Sequence, residues 1–488
     1  MLESNCFFNN RKHLTIRREG RRLIIDLLYF TVFLGLANVL VVYVLSQKVL
    51  TPAFFYWFAW ALGVGSAALC EYWNLMPPIT EVGNSVIVKS HIGCFFGSIV
   101  ASLFHVLMVG GVIKRKKNIP AWIYKLNIYK ANSYLWKVTL IVSVASIFHL
   151  LYRIGLLGNI DIPVVATTLV GDLRYSFLFT DIGYTRYFNF VMSFTFVAST
   201  LLAVLIANKK IDNKKIILSM FVFAVTAHSI ASGGRHFILT SVLYFVIGYT
   251  IIYNETHEYT MLSAYVQFKA LLKYLFVIVL IFLVVGNLRT GRDINSFEGE
   301  VVGVSDEYAS AITAPTWFPS AVIEYAGVAI AAAGPMSENI GANHTHGKFT
   351  FALIYKWLGH FGILSSEVAN EDESVFNRVA IREYDLRIGW TQGTALPYLA
   401  ADFGIENLII SMGVLIFCLQ MLFLYFLRRN VVGLFIAVHC CYASFFLTQT
   451  IVTINGQFII ALILLMYTQK TIIFRQAAYT RIEIKNCR

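Results

Sequence analysis

Hydrophobic and polar positions fall into blocks along the chain, with long apolar runs separated by mostly short polar connections. Eleven runs stand out, at about residues 23–45, 52–72, 92–113, 135–157, 187–207, 216–232, 237–253, 274–288, 397–427, 431–449 and 456–469. A helix crosses the hydrocarbon core of a bilayer with roughly 20 apolar residues. Backbone polar groups placed in lipid must be satisfied within the structure, which a helix does by itself. The pattern therefore predicts an all-α, polytopic membrane bundle of about eleven spans, without internal repeats or low-complexity linkers. Its organisation reads as a basic N-terminal segment (1–22), a bundle of about eight spans (23–288), a large polar segment (289–396), three further spans (397–469) and a basic tail (470–488).

Composition agrees, with 58% hydrophobic and 14% charged residues, and rules out the arithmetic of soluble domains. The formal net charge of +12 does not point to nucleic acid, because a chain this apolar carries Lys and Arg chiefly as topology signals at helix ends. Lys114–Lys117, Asn208–Lys215, Lys269 with Lys273, Arg428–Arg429 and the tail from Lys470 all fall on one side, which the positive-inside rule makes cytoplasmic. The N-terminal basic residues Arg11, Lys12, Arg17, Arg18, Arg21 and Arg22 disagree, since three spans separate them from Lys114. The conflict disappears if one span near the N-terminus is interfacial or miscounted. Seven cysteines form no CxxC pair and none lies in the large polar segment, so neither a disulfide framework nor a thiolate metal site is suggested. Leu23–Val44 is long for a signal-peptide core and lacks a small-residue cleavage site.

Candidate chemistry gathers on the opposite, extracytoplasmic side. Residues 289–396 hold thirteen of the twenty-seven acidic residues together with five arginines. Loops this long are functional or disordered, and the helix-like pieces Trp317–Gly334 and Phe349–Leu364 argue against disorder. Both pieces are short or interrupted for a span, and read as amphipathic or re-entrant segments resting on the membrane surface. Arg289 and Arg292 follow directly on one span, while Arg378, Arg382 and Arg387 precede the next. Guanidinium groups at the headgroup level suit bidentate binding of phosphate, or equally pair with the segment's own Asp293, Glu298, Glu383 and Asp385. Three Arg-x10-Gly spacings, from Arg292, Arg378 and Arg382, fall in this one segment. Ser232-Gly233-Gly234-Arg235 links two spans on the same side. It reads either as an anion site at a helix N-terminus or as a hairpin turn with a snorkelling arginine. His344 and His346 supply groups that titrate near neutrality, with surface histidines as the plain alternative and no third residue spaced to complete a zinc site. Asp402, in the stretch Gly393–Gly404, stands at the outer end of the 397–427 run, either hydrogen-bonded to neighbouring helices or facing an aqueous cavity. Histidines within the spans (His91, His105, His149, His228 and His439) read as bundle-interior hydrogen-bonding groups.

The Gly-rich turn with arginine (SGGRH), the large loop opening on LRTGRD and the ADFG element entering the next span resemble the O-antigen polymerases (Wzy-type), a family of oligosaccharide repeat-unit polymerases. The likeness runs over most of the chain. Arg-x10-Gly is similar to a motif described for some of these polymerases in two separate periplasmic loops, whereas here all three occurrences share one segment. The resemblance implies a GT-C-like glycosyltransferase of the bacterial inner membrane, acting on undecaprenyl-diphosphate-linked oligosaccharide without nucleotide sugar, metal or other cofactor. Membrane lipids and a chain-length regulator protein are the implied partners. Arg235, Arg289, Arg292, Arg378 and Arg382 become expected diphosphate contacts, and His344 or His346 the expected base, with Asp402 or Asp293 as alternatives. An O-antigen ligase shares the architecture and the donor. A transporter or flippase would instead show inverted repeats and broken midplane helices.

Overall fold

A computed structural model describes residues 3–73, 79–109, 121–124, 126–156, 188, 190–231, 236–256, 394–448 and 456–472, with parts of the stretch 327–363. Every regular element among these residues is a helix. They are α1 (Glu3–Ser46), α2 (Pro52–Tyr72), α3 (Glu81–Val109), the single turn α4 (Ala121–Tyr124), α5 (Ile128–Leu156), α6 (Phe194–Ala207), α7 (Lys214–Ala231) and α8 (His236–Thr256), followed by α9 (Ala395–Phe403), α10 (Leu408–Phe426), α11 (Val431–Phe446) and α12 (Gly456–Ile472). Eight helical segments are long and apolar enough to cross a membrane, and two shorter apolar ones follow at Val431–Phe446 and Gln457–Lys470. The chain is a helical membrane protein. The eleventh apolar run, 274–288, lies outside the described residues.

The helices fall into two compact units, the first built from Met1–Arg115, Ile294–Leu424 and Cys440–Asn455, the second from Lys116–Asp293, Tyr425–His439 and Gly456–Arg488. In the first unit a tight turn joins α1 to α2, whose start is capped by Thr51 accepting from Phe54 N at 3.4 Å, with Pro52 in the first turn. α3 runs parallel to α1, because their polar contacts climb together: Thr31 meets His91 at 3.0 Å and Asn38 meets Ser98 at 2.9 Å. α10 is parallel to α3 by the same criterion, from the Lys89–Glu406 ion pair at 3.4 Å to Gln420 and Ser102 at 3.5 Å. Gly93 and Gly97 lie on one face of α3 against α10. A Cβ on Gly97 would run into the Gly413 carbonyl oxygen and sit 2.9 Å from its carbon, so the two backbones are in contact. Small residues at such crossings let helices pack where lipid offers no hydrophobic drive.

Two sequence expectations change here. The run 397–427 is not one helix: Gly404 takes φ 86°, a conformation that suits glycine, and separates the short α9 from α10. Asp402 therefore belongs to a nine-residue helix of its own, not to the end of a long span. The described residues of Gly327–Ser337 are helical and buried, which disfavours the amphipathic surface alternative and fits the re-entrant one. A Cβ on Gly327 would come within 2.8 Å of Ala67 N, and one on Gly334 within 2.8 Å of Gly83 Cα, so this Ala/Gly-rich piece inserts against α2 and the start of α3. Its small side chains permit an approach that its short apolar length gives no hint of. The second piece does carry exposed apolar residues, Phe351, Ile354 and Ile363. α1, α2 and α3 supply segments long and apolar enough to cross a membrane at Arg22–Ser46, Pro52–Tyr72 and Glu81–Met108, so the charge conflict at the N-terminus stands.

The second unit is built around α6, buried from Thr195 to Ala207. α5, α8 and α12 pack on it, and α5 also packs on α7. Asn132, near the start of α5, donates to Lys210 O at 2.9 Å and accepts from Asp212 N at 3.2 Å, tying α5 to the α6–α7 turn. Arg428 pairs with Glu255 at the end of α8 at 2.8 Å, and Val432 N reaches Gln469 near the end of α12 at 3.4 Å. The basic clusters Asn208–Lys215, Arg428–Arg429 and Lys470 thus share one end of this unit, as the sequence grouping expects.

Candidate functional site

The site is built on α9. Its first turn is capped by Thr394, whose hydroxyl accepts from Leu396 N at 3.2 Å, and Ala395 N donates to Leu447 O at 3.0 Å, anchoring the helix to the segment after α11. Its last turn presents Asp402, 3% exposed. Oδ1 accepts from Phe349 N at 3.1 Å, while Oδ2 accepts from Thr350 N at 2.7 Å and from Thr350 Oγ1 at 2.6 Å. A buried carboxylate is costly unless such donors satisfy it, and bonds to a charged acceptor are the strong ones. The turn so held, Gly347–Thr350, starts with Gly347 at φ 88° and is closed by Phe351 N donating to Gly347 O at 2.9 Å. Phe349 packs on Tyr398 of α9 with ring centroids 5.3 Å apart. The chain enters this turn directly from His346.

Charge is distributed unevenly in the interior of the first unit. Among the described residues, the buried charged side chains are Glu71, Lys348 and Asp402. Glu71 ends α2 where α3 begins, and Asp402 and Lys348 lie where α10 begins, which is the same end because α3 and α10 are parallel. Sequence reasoning singled out Asp402 and missed the other two. Glu71 is the sole charged residue of the apolar run 52–72, and Lys348 sits beside the histidine pair, so a signal for each was present.

Much of the remaining polar interior pairs across helices. Thr31 gives its hydroxyl proton to Leu27 O at 2.7 Å, so it must accept from Nε2–H of His91, which leaves Nδ1 to accept from Tyr56 OH at 3.0 Å. Asn38 donates to Phe95 O and to Ser98, and accepts from Trp57 Nε1 at 2.9 Å. In the second unit His149 and His228 share an Nδ1···Nδ1 hydrogen bond of 2.9 Å, and His439 bonds to Tyr244 and stacks on Phe458. These histidines are the interior hydrogen-bonding groups that the sequence suggests. Among the described residues no three or more His, Cys, Asp or Glu side chains stand together to hold a metal ion.

Arg235, Arg289, Arg292, Arg378, Arg382, Asp293, His344 and His346 lie outside the described residues. Comparison with known proteins gives no match to a protein-family model, a curated protein or a solved structure.

Proposed function

We propose that the chain is a GT-C-like glycosyltransferase of the bacterial inner membrane with about eleven spans. It would move a growing glycan from undecaprenyl diphosphate onto the end of a new lipid-linked repeat unit on the extracytoplasmic face. One observation carries the reading: the arginine-bearing segment 289–396 is tied through Thr350 and Asp402 to the end of the first unit that holds its buried charges. A site for a charged, lipid-linked donor needs ionisable groups at the membrane boundary, and the grouping of Glu71, Lys348 and Asp402 at one end of the first unit supports the reading. In the transfer, an acceptor hydroxyl oxygen bonds to the donor's anomeric carbon, the bond from that carbon to the diphosphate oxygen breaks, and the hydroxyl proton passes to a base. The diphosphate departs with the electron pair. Arg235, Arg289, Arg292, Arg378 and Arg382 are assigned to stabilising that charge, in which guanidinium forks excel. His344 or His346 is assigned as the base, with Asp293 as the alternative, and Lys348, two residues after His346 in the sequence, adds a basic side chain.

Arg292→Ala or Arg382→Ala, at unchanged membrane levels, is expected to leave single repeat units in place of polymer in the glycan profile of cells. Unchanged polymer length would overturn the assignment. Loss of all attached glycan would instead identify a ligase.

A further inference from the structure

We propose that Asp402 is a positioning residue, not the base: it clamps the Gly347–Thr350 turn to α9 and so fixes where the chain leaves His346. A general base needs a lone pair within hydrogen-bond reach of the proton it removes. Oδ1 accepts from Phe349 N and Oδ2 from two donors of Thr350, and at 3% exposure the carboxylate is buried away from an acceptor hydroxyl arriving from outside. Everything around the carboxylate serves rigidity. α9 is fastened at its first turn by the Thr394 cap and by Ala395 to Leu447, and Gly404 ends it two residues after Asp402. Phe349 against Tyr398 adds an apolar contact between the same two pieces of chain. The clamp therefore joins a platform within the bundle to the residue directly after the histidine pair. Catalytic groups must be held by a shell of this kind to within a fraction of an ångström. The consequence for His344 and His346 rests on the function proposed above, whereas the clamp does not.

Thr350 separates the two roles, because it touches Asp402 and carries no plausible chemistry of its own. In full-length protein in sealed membranes, Asn343→Cys would be labelled with a membrane-impermeant maleimide after Cys6, Cys418 and Cys487 are changed to Ser. Cys70, Cys94, Cys440 and Cys441 are buried. Asp402→Asn, which turns an amide NH2 toward the Thr350 donors, and Thr350→Val, which removes one of them, are both expected to speed labelling by roughly tenfold, the factor for a lost charge-assisted bond. Thr350→Ser keeps the donor and is expected to restore the slow rate, and the Asp402→Asn, Thr350→Val pair to label no faster than Asp402→Asn alone. Equal rates in all variants would overturn the clamp. Glycan profiles of the same variants test the role: positioning predicts shortened polymer in Thr350→Val and recovery in Thr350→Ser. Normal polymer in Thr350→Val with none in Asp402→Asn would mark Asp402 as the base and overturn the proposal. Altered labelling with unchanged glycan in every variant would leave the clamp standing and overturn its positioning role, while the glycosyltransferase reading fails separately if Arg292→Ala and Arg382→Ala leave polymer length unchanged.

Discussion

At the scale of single residues, the interior of the first unit shows how polar groups are accommodated in a span. Asn38 lies at the junction of α1, α2 and α3, and its amide uses both ends: Nδ2 serves Phe95 O and Ser98, and Oδ1 serves Trp57 Nε1 at 2.9 Å. Replacing it by Leu keeps the volume roughly constant but strands the buried indole N–H of Trp57 and removes one partner of Ser98, whose hydroxyl keeps its bond to Phe95 O. Interhelical bonds of this kind contribute about 0.6–2 kcal/mol each in membrane proteins. Asn38→Leu is therefore expected to lower stability by about 1–3 kcal/mol, with the larger figure for the stranded donor. Thermal unfolding in detergent checks this, and a midpoint equal to that of the native chain would show that the network contributes nothing. Thr31→Val should be milder, since it removes one acceptor of His91 and leaves the Tyr56 bond in place.

At the scale of elements, the crossing of α3 with α10 depends on where a Cβ would point. On Gly97 it would strike the Gly413 carbonyl oxygen, whereas on Gly413 it would approach Gly93 O no closer than 3.3 Å. Gly97→Ala is expected to cost about 1–3 kcal/mol, the usual price of overpacking. Gly413→Ala should be near neutral, because the helix preference for Ala over Gly, about 1 kcal/mol, offsets a tight but tolerable contact. Parallel unfolding curves for the two variants decide it, and equal destabilisation would show that the backbones are not this close. The same elements show what was legible beforehand. Apolar runs located the spans because lipid leaves few other places for them. They misplaced the starts of α3 and α5, at Glu81 and Ile128, because Ser90, His91 and Asn132 look like loop residues until their partners across the bundle are seen. Joining α9 to α10 was a similar error, since ADFG reads as one apolar stretch and only the positive φ of Gly404 divides it. Asp402 was marked by its charge, but its partners lie 52 and 53 residues earlier in the chain, a separation at which no local pattern helps. Glu71 went unmarked because it was absorbed into the apolar run 52–72, and Lys348 because the histidine pair beside it drew the attention.

At the scale of the whole molecule, the helix directions of the first unit sharpen a conflict over charge. α1 and α3 are parallel, so the basic stretch Arg11–Arg22 at the start of α1 and the Lys114–Lys117 segment after α3 emerge at opposite faces of the membrane. The positive-inside rule cannot be obeyed at both. α1 cannot turn over alone, because a short connection at residues 47–51 holds it antiparallel to α2, and Thr31 and Asn38 fix its register on α3. The decision falls to the remaining basic clusters, and Asn208–Lys215, Arg428–Arg429 and Lys470 gather at one end of the second unit. By the sequence grouping Lys114–Lys117 joins these clusters on the cytoplasmic side, which would leave the N-terminal arginines on the opposite face, where lipid phosphates can receive them. Cys6 is thus expected to react with an impermeant maleimide from the extracytoplasmic side, and a cysteine introduced at Asn118 from the cytoplasmic side only, in vesicles of the two orientations with Cys418 and Cys487 replaced. The reverse pattern would turn the whole bundle over. It would carry the segment 289–396 and the Asp402 clamp into the cytoplasm, and a polymerase working on the outer face would then have no site there.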